Sequence, residues 1–253
     1  MLDLEGMSIA ITGGGSGIGA GAARHFATCG ARVTICGRRK DKIETVAAEI
    51  GNTCLAIQAD ITDAADRQRF IDAAVSHGGG LGALISNAAN MYRGPIETLD
   101  EQQLNAIFHS NVTAGMLLTG LATPHLQRRG GVVIFVGSIH TRRAFPGASP
   151  YAATKGALEA LTRVLAAELG PKGVRVNCVV PGAVLTEINQ RAGLLDDDAA
   201  EARLEAMAPL HALGRIGTVE EIAEAMDYLV RAEWTTGAIL DVDGGLGLGV
   251  TQE

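Results

Sequence analysis

Short runs of consecutive apolar residues alternate along this chain with longer stretches in which apolar side chains recur every three or four positions. The runs Met7–Ile11, Arg32–Cys36, Cys54–Gln58, Ala83–Ser86, Val132–Val136, Arg175–Val180 and Ile239–Val242 read as strands. The stretches between them, Gly17–Cys29, Lys40–Ile50, Ala64–His77, Glu101–Gln127, Tyr151–Leu169 and Val219–Ala232, read as helices. A strand that is apolar throughout needs cover on both faces, which a parallel sheet between two helical layers provides. Right-handed crossovers then lead to an α/β fold, a doubly wound, Rossmann-like parallel sheet of about seven strands. No Pro/Gly/Ser linker and no internal repeat interrupts residues 1–253, so one domain is expected across them. Ligands in such folds bind beyond the carboxyl ends of the strands. Gly13, Gly37, Asn87, Ser138 and Pro181 each stand just past an expected strand end, which puts them on one rim.

Two segments carry candidate chemistry. Thr12-Gly13-Gly14-Gly15-Ser16-Gly17-Ile18-Gly19 lies between the first strand and the first helix, the context of a dinucleotide site. Glycine lets backbone approach a pyrophosphate, and the helix start supplies N–H groups and a positive dipole end. The spacing of Gly13, Gly17 and Gly19 departs from GxGxxG, and a plain strand-to-helix turn would use the same residue types. The second segment is Tyr151-Ala152-Ala153-Thr154-Lys155. On a helix, its phenol and ammonium share one face. The cation favours phenolate and draws the tyrosine pKa down from about 10, which makes a proton donor and acceptor for neutral pH. A solvated helix face would also account for a lone Tyr–Lys pair.

Together with these segments, five more stretches resemble the classical short-chain dehydrogenase/reductase family, over residues 4 to 246. Thr12 to Gly19 is similar to the family's TGxxxGxG turn, and Asn87-Ala88-Ala89 to its NAG motif, with Ala89 in place of Gly. Asn111 stands at the family's Asn position. Ser138 precedes Tyr151 by 13 residues, as in the family. Pro181-Gly182 with Thr186, and Asp243-Gly244-Gly245, match two further motifs. The resemblance implies hydride transfer between a nicotinamide and a ketone or secondary alcohol, with the cofactor carrying that step. It implies a tetrad of Asn111, Ser138, Tyr151 and Lys155. Tyr151 would exchange the proton, Lys155 would lower its pKa and hold the ribose, and Ser138 would bind the substrate oxygen. Asn111 would position a water. The implied cofactor contacts are Gly13, Gly15, Ser16, Gly17, Ile18, Gly19, Asn87, Ala88, Tyr151, Lys155, Pro181, Gly182, Val184 and Thr186.

The second strand ends in Gly37-Arg38-Arg39, without the acidic residue that grips a ribose diol in NAD-preferring relatives. Arg38, with Arg39, stands where NADP-preferring relatives place a cation for the 2′-phosphate. NADP(H) is therefore favoured over NAD(H), although Ser16 occupies a position where some NADP relatives carry a second basic residue. The resemblance implies that Asp60 accepts the adenine amino group and that Ile61 flanks the ring. On the substrate side, His140, two residues past Ser138, is expected to face the substrate along with Ser138 and Tyr151, or else to be an ordinary loop histidine. Met91, Tyr92, Phe145 and Val184 would also face the substrate, under an amphipathic lid at about residues 186–213. Arg142 and Arg143 would meet an anionic substrate or form a solvated surface pair.

Composition narrows the partners. The formal charge of −7 argues against nucleic acid, and no apolar stretch approaches the roughly 18 residues of a membrane span. Cys29, Cys36, Cys54 and Cys178 form no CxxC pair, and Cys36 and Cys178 stand in apolar runs, as buried thiols of a reducing compartment do. With no leader pattern, a cytoplasmic location is expected. The six histidines show no metal-ligand spacing, so no metal is expected. The resemblance implies a homotetramer or homodimer. The leading reading is a small-molecule ketone reductase or secondary-alcohol dehydrogenase. The alternatives are a 3-oxoacyl-carrier-protein reductase, with Arg129 and Lys172 facing the acidic carrier, and a non-catalytic NADP-binding sensor or scaffold.

Overall fold

Side chains alternate across a strand, so a run of apolar residues fills two cores at once. In the computed structural model, which describes residues 2–186, 202 and 204–249, seven strands do this. They are β1 (Ser8–Thr12), β2 (Arg32–Gly37), β3 (Cys54–Gln58), β4 (Ala83–Ser86), β5 (Val132–Val136), β6 (Arg175–Pro181) and β7 (Ile239–Val242). All pair in parallel, in the order β3-β2-β1-β4-β5-β6-β7. The helices are α1 (Gly17–Thr28), α2 (Lys40–Ile50), α3 (Ala64–Gly78), α4 (Glu101–Phe108), α5 (Ala114–Gln127), α6 (Ser149–Leu169) and α7 (Val219–Arg231).

On one face, Ile9, Ile11, Ile35, Ile85 and Ile134 pack with Phe26 of α1, Ile43 of α2 and Met226 of α7. On the other, Ala10, Leu84, Val133 and Phe135 pack with Phe70 of α3, Leu118 of α5 and Leu158 of α6. Each such fully buried aliphatic or aromatic side chain contributes on the order of 1.5–3 kcal/mol. The doubly wound sheet expected from the apolar runs is thus the observed fold. Strand order reverses between β1 and β4, and the crevice at that switch point is where ligands sit in this architecture.

Two expectations are corrected. The first strand begins at Ser8 rather than Met7, because the Met7 N–H is spent on the Leu4 carbonyl of the preceding turn at 2.9 Å; the Ser8 hydroxyl is buried by donating to the Ala74 carbonyl at 3.0 Å. The single long helix expected over Glu101–Gln127 is interrupted by a π-helical turn, His109–Thr113. Ser110 and Asn111 are buried there: the Ser110 hydroxyl is placed 3.2 Å from the Ile107 carbonyl within the helix, and the Asn111 amide reaches Asn90 and Thr154 outside it. Most of the expected lid, residues 187–201 and 203, lies outside the described residues.

Candidate active site

The ends of β1 and β4 are stitched together at the switch point. Thr12 Oγ1 accepts the backbone N–H groups of Asn87 and Ala88, both at 3.0 Å. Asn87 Nδ2 donates in return to the Thr12 carbonyl at 2.9 Å and the Gly13 carbonyl at 3.3 Å. Gly13 takes a left-handed φ of +69°, open to glycine at little cost. A Cβ at Gly19 would run into the Gly13 carbonyl and the Asn87 amide. Gly19→Ala is therefore expected to lower stability by about 1–3 kcal/mol and to weaken dinucleotide binding at least tenfold. Thermal unfolding and a fluorescence titration measure both, and an unchanged melting temperature would refute the packing role.

The start of α1 faces the same crevice. Its N-cap, Ser16, makes no side-chain capping bond, and the first turn holds no acid. The leading N–H groups therefore remain available, as a pyrophosphate-binding helix start requires. The residues present fit a dinucleotide. Farther along, Arg38 Nη2 donates to Asn90 Oδ1 at 3.4 Å, and Arg39 Nη2 to Ser16 Oγ at 3.2 Å. Asp60 Oδ1 accepts from the Thr62 backbone and hydroxyl at 2.9 and 2.7 Å.

The reactive end is built on β5 and α6. Ser138 follows β5 and caps the 3-10 turn Ile139–Thr141. Tyr151 and Lys155 stand one turn apart on α6, both buried. Lys155 Nζ donates to the Val136 carbonyl at 2.7 Å and lies 5.5 Å from the centre of the Tyr151 ring. Burial pushes the Lys155 pKa down to about 8, which leaves the ammonium mostly charged at neutral pH. Ser138 Oγ lies 3.0 Å from His140 Nδ1, and His140 stands edge-on to Tyr151 with centroids 5.1 Å apart. The whole segment is fastened to α6. Arg142 Nη1 donates to both Glu159 oxygens at 2.8 and 2.9 Å, and its Nε reaches Asp241. Those two carboxylates raise the Arg142 pKa against the opposing effect of burial, with Asp241 the larger influence.

Ser138, His140, Phe145, Tyr151 and Lys155 line one cleft of about 450 Å3 with Gly13, Ser16, Gly17, Ile18, Arg38, Asp60, Ile61, Asn87, Ala88, Pro181, Gly182, Val184 and Thr186. Gly15, Gly19, Arg39 and Asn111 do not line it. Gly15 abuts Lys42 and Ile43, and Gly19 abuts Gly13, so both are packing positions. Asn111 Oδ1 accepts from the Asn90 N–H and the Ser110 hydroxyl, at 2.8 and 3.0 Å. Its Nδ2 donates to the Asn90 carbonyl at 2.9 Å and to Thr154 Oγ1 at 3.2 Å. The amide is thus fully engaged with protein, and the expected water-holding role finds no support in its side chain. Tyr92 is turned away, its hydroxyl accepting the Asp100 N–H at 2.7 Å. Arg142 and Arg143 do not line the cleft: Arg142 is held as above, and Arg143 Nη1 donates to the Leu246 carbonyl at 3.4 Å.

Sequence reasoning missed Asn90, Arg93, His109 and Ser110, which also line the cleft. Asn90 directly follows the Asn87-Ala88-Ala89 segment, and that adjacency was the available signal. Cys36 lines the cleft too, but burial pushes its thiol up to about 12, so it stays neutral. Among the described residues, His25, Cys29 and Asp227 form a cluster of metal-capable side chains. It joins α1 to α7 outside the cleft, and Asp227 there is paired with Arg231 at 2.6 Å.

Known proteins are similar to this chain along nearly its whole length. Residues 13–247 match a family model described as Enoyl-(Acyl carrier protein) reductase. An uncharacterised oxidoreductase of Methylorubrum extorquens is 35% identical over 252 residues, covering 97% of this chain and all of that protein. Dehydrogenase/reductase SDR family member 4 of Sus scrofa is 33% identical, covering 96% of this chain and 88% of its own length. The crystal structure of a 3-ketoacyl-(acyl-carrier-protein) reductase from Brucella melitensis, complexed with NADH, superposes with a TM-score of 0.88 at 34% identity, over 96% of this chain and 99% of that one. A glycine turn at the switch point, a buried Tyr–Lys pair beside Ser138 and matches along nearly its whole length make this chain a member of the classical short-chain dehydrogenase/reductase family, and an oxidoreductase.

Proposed function

We propose that the protein interconverts a small-molecule ketone and a secondary alcohol, with NADP(H) favoured over NAD(H). The observation that carries this reading is the buried Tyr151–Lys155 pair, which opens into the same cleft as Ser138 and the glycine turn. Bound nicotinamide supplies the hydride in reduction and accepts it in oxidation. Tyr151 gives its phenolic proton to the carbonyl oxygen in reduction and takes it back in oxidation. Ser138 donates a hydrogen bond to that oxygen and stabilises the charge that develops there. Lys155 favours the phenolate form of Tyr151 and would donate to the ribose hydroxyls of a bound cofactor. Asn111 acts at one remove, clamping residue 90 against α6 through Thr154. Gly13, Ser16, Gly17 and Ile18 would hold the pyrophosphate with backbone N–H groups, Asp60 would accept the adenine amino group, and Ile61 would flank the ring.

The cofactor preference rests on two guanidinium groups. Arg38 lines the cleft beside Gly37, which leaves room for a 2′-phosphate. Arg39 stands outside the cleft lining and reaches Ser16, which does line it, at 3.2 Å, so a cation lies behind the turn. Charge-assisted hydrogen bonds of this kind contribute about 1.5–3 kcal/mol. Arg38→Ala is expected to raise the Michaelis constant for NADPH at least tenfold and that for NADH less than threefold. Equal effects on the two would remove the assignment.

A 3-oxoacyl-carrier-protein reductase is the second reading, favoured by the name of the Brucella relative. Arg129, one of the two cations expected to face a carrier, donates to the Gly79 carbonyl at 2.9 Å. Comparing kcat/KM on ethyl acetoacetate with that on acetoacetyl-carrier protein separates the readings. A preference for the carrier above a hundredfold would establish the second. Self-association is also proposed: Met116 and Leu117 on α5 and Val164 on α6 are exposed apolar positions, on helices that can pack about a two-fold axis. Among the described residues no helix is long and apolar enough to cross a membrane.

A further inference from the structure

A serine hydroxyl has one proton and two acceptor sites, so it can hold a substrate oxygen only if its proton is not already given elsewhere. At Ser138, two nitrogens of a single residue approach the oxygen. The His140 ring nitrogen Nδ1 lies at 3.0 Å, and the His140 backbone N–H points at the same oxygen from 3.4 Å. The backbone contact makes Oγ an acceptor. If Nδ1 also carries a proton, both acceptor sites of Ser138 are filled by donors and its own proton is released toward the cleft. If Nδ1 were bare, it would draw that proton away from any substrate.

The ring is held in place for this task. Phe145 lies against it with centroids 4.5 Å apart and an interplanar angle of 35°, and Tyr151 meets it edge-on at 84°. The segment beneath is fixed to α6 through Thr141, Arg142 and Glu159. We propose that His140 is the positioning residue for Ser138: its Nδ1–H donates to Ser138 Oγ and aims the serine proton at the substrate oxygen. Hydrogen bonds in a chain polarise one another, so the same contact makes Ser138 a stronger donor. This inference rests on the proposed role of Ser138 and names a residue that acts through it. His140 itself need not touch the substrate.

Two measurements test it. The first requires no substrate: the long-range 15N–1H spectrum of the NADPH-bound protein, with His140 assigned by comparison with His140→Leu. An Nδ1-protonated ring is expected, and an Nε2–H tautomer with bare Nδ1 overturns the proposal. The second is a double-mutant cycle on ethyl acetoacetate reduction. Ser138→Ala is expected to lower kcat about a hundredfold. His140→Leu should lower it about tenfold or more, with NADPH affinity changed less than twofold. His140→Asn, whose amide can donate from the position of Nδ1, should recover most of that loss. In the Ser138→Ala background, His140→Leu should cost nothing further. Multiplying losses would show that His140 does not act through Ser138 and would overturn the proposal, while full activity of Ser138→Ala would instead overturn the reading of Ser138. Absence of turnover on the ester would count against the proposed ketone chemistry and leave the tautomer measurement decisive for His140.

Discussion

Tyr151→Phe is expected to reduce turnover by about 10²–10⁴-fold while leaving dinucleotide affinity within about twofold, because general acid–base transfer contributes on that scale. The substitution removes one oxygen and keeps the ring. The ring is buried and packs edge-on against His140, so the fold and the cleft wall persist. The loss corresponds to about 3–5 kcal/mol of transition-state stabilisation. Steady-state rates in both directions, with a parallel NADPH titration, check it. Turnover near that of the wild type would show that the proton comes from another group, and weaker NADPH binding with normal turnover would make Tyr151 a binding residue.

Lys155→Met should do two opposite things. Turnover is expected to fall at least a hundredfold, since in the proposed mechanism the ammonium favours the Tyr151 phenolate and holds the ribose. Stability of the ligand-free protein is expected to rise. Lys155 is 3% exposed, and burial shifts its pKa from 10.5 to about 8. At about 1.36 kcal/mol per unit, keeping the charged form folded costs on the order of 3 kcal/mol. Methionine keeps the apolar stem and removes the charge, while the Val136 carbonyl loses its donor at a cost of about 1 kcal/mol. The net gain is about 1–3 kcal/mol at pH 7, or several degrees in melting temperature for a chain of this size. The sign follows from proton linkage. The folded pKa lies below the unfolded one, so the cost is complete below about pH 8 and disappears as pH rises from about 8 through 10.5. The variant's advantage should shrink over that window. A lower melting temperature at pH 7, or an advantage independent of pH, would contradict it.

These two residues illustrate what could be read before any coordinates. Tyr151 and Lys155 belong to one helix, and their shared face follows from helical period alone. The glycine turn was legible for the same reason, because strand, turn and helix are consecutive in the chain. The alternating cores on the two sheet faces likewise follow from runs such as Ser8–Thr12, whose neighbours point opposite ways. The π-turn at His109–Thr113 was not legible. Asn111, within that turn, bonds Asn90 and Thr154, and those residues are distant from it in the chain. Arg142 was misread because its partners, Glu159 and Asp241, are likewise far away in sequence.

What the sequence by itself determined is therefore local: the strands, the helices, the turn that opens α1, and the pairing of Tyr151 with Lys155. Short-range period and turn chemistry act between residues only a few positions apart, so they leave a readable pattern. The tertiary structure alone decided which long-range partners each buried polar group acquired. It brought Arg39 onto Ser16, turned Tyr92 toward Asp100, engaged the Asn111 amide and set His140 Nδ1 beside Ser138. A buried donor or acceptor must be satisfied by whatever the fold brings within about 3 Å, and that neighbour is chosen by strand order and helix packing.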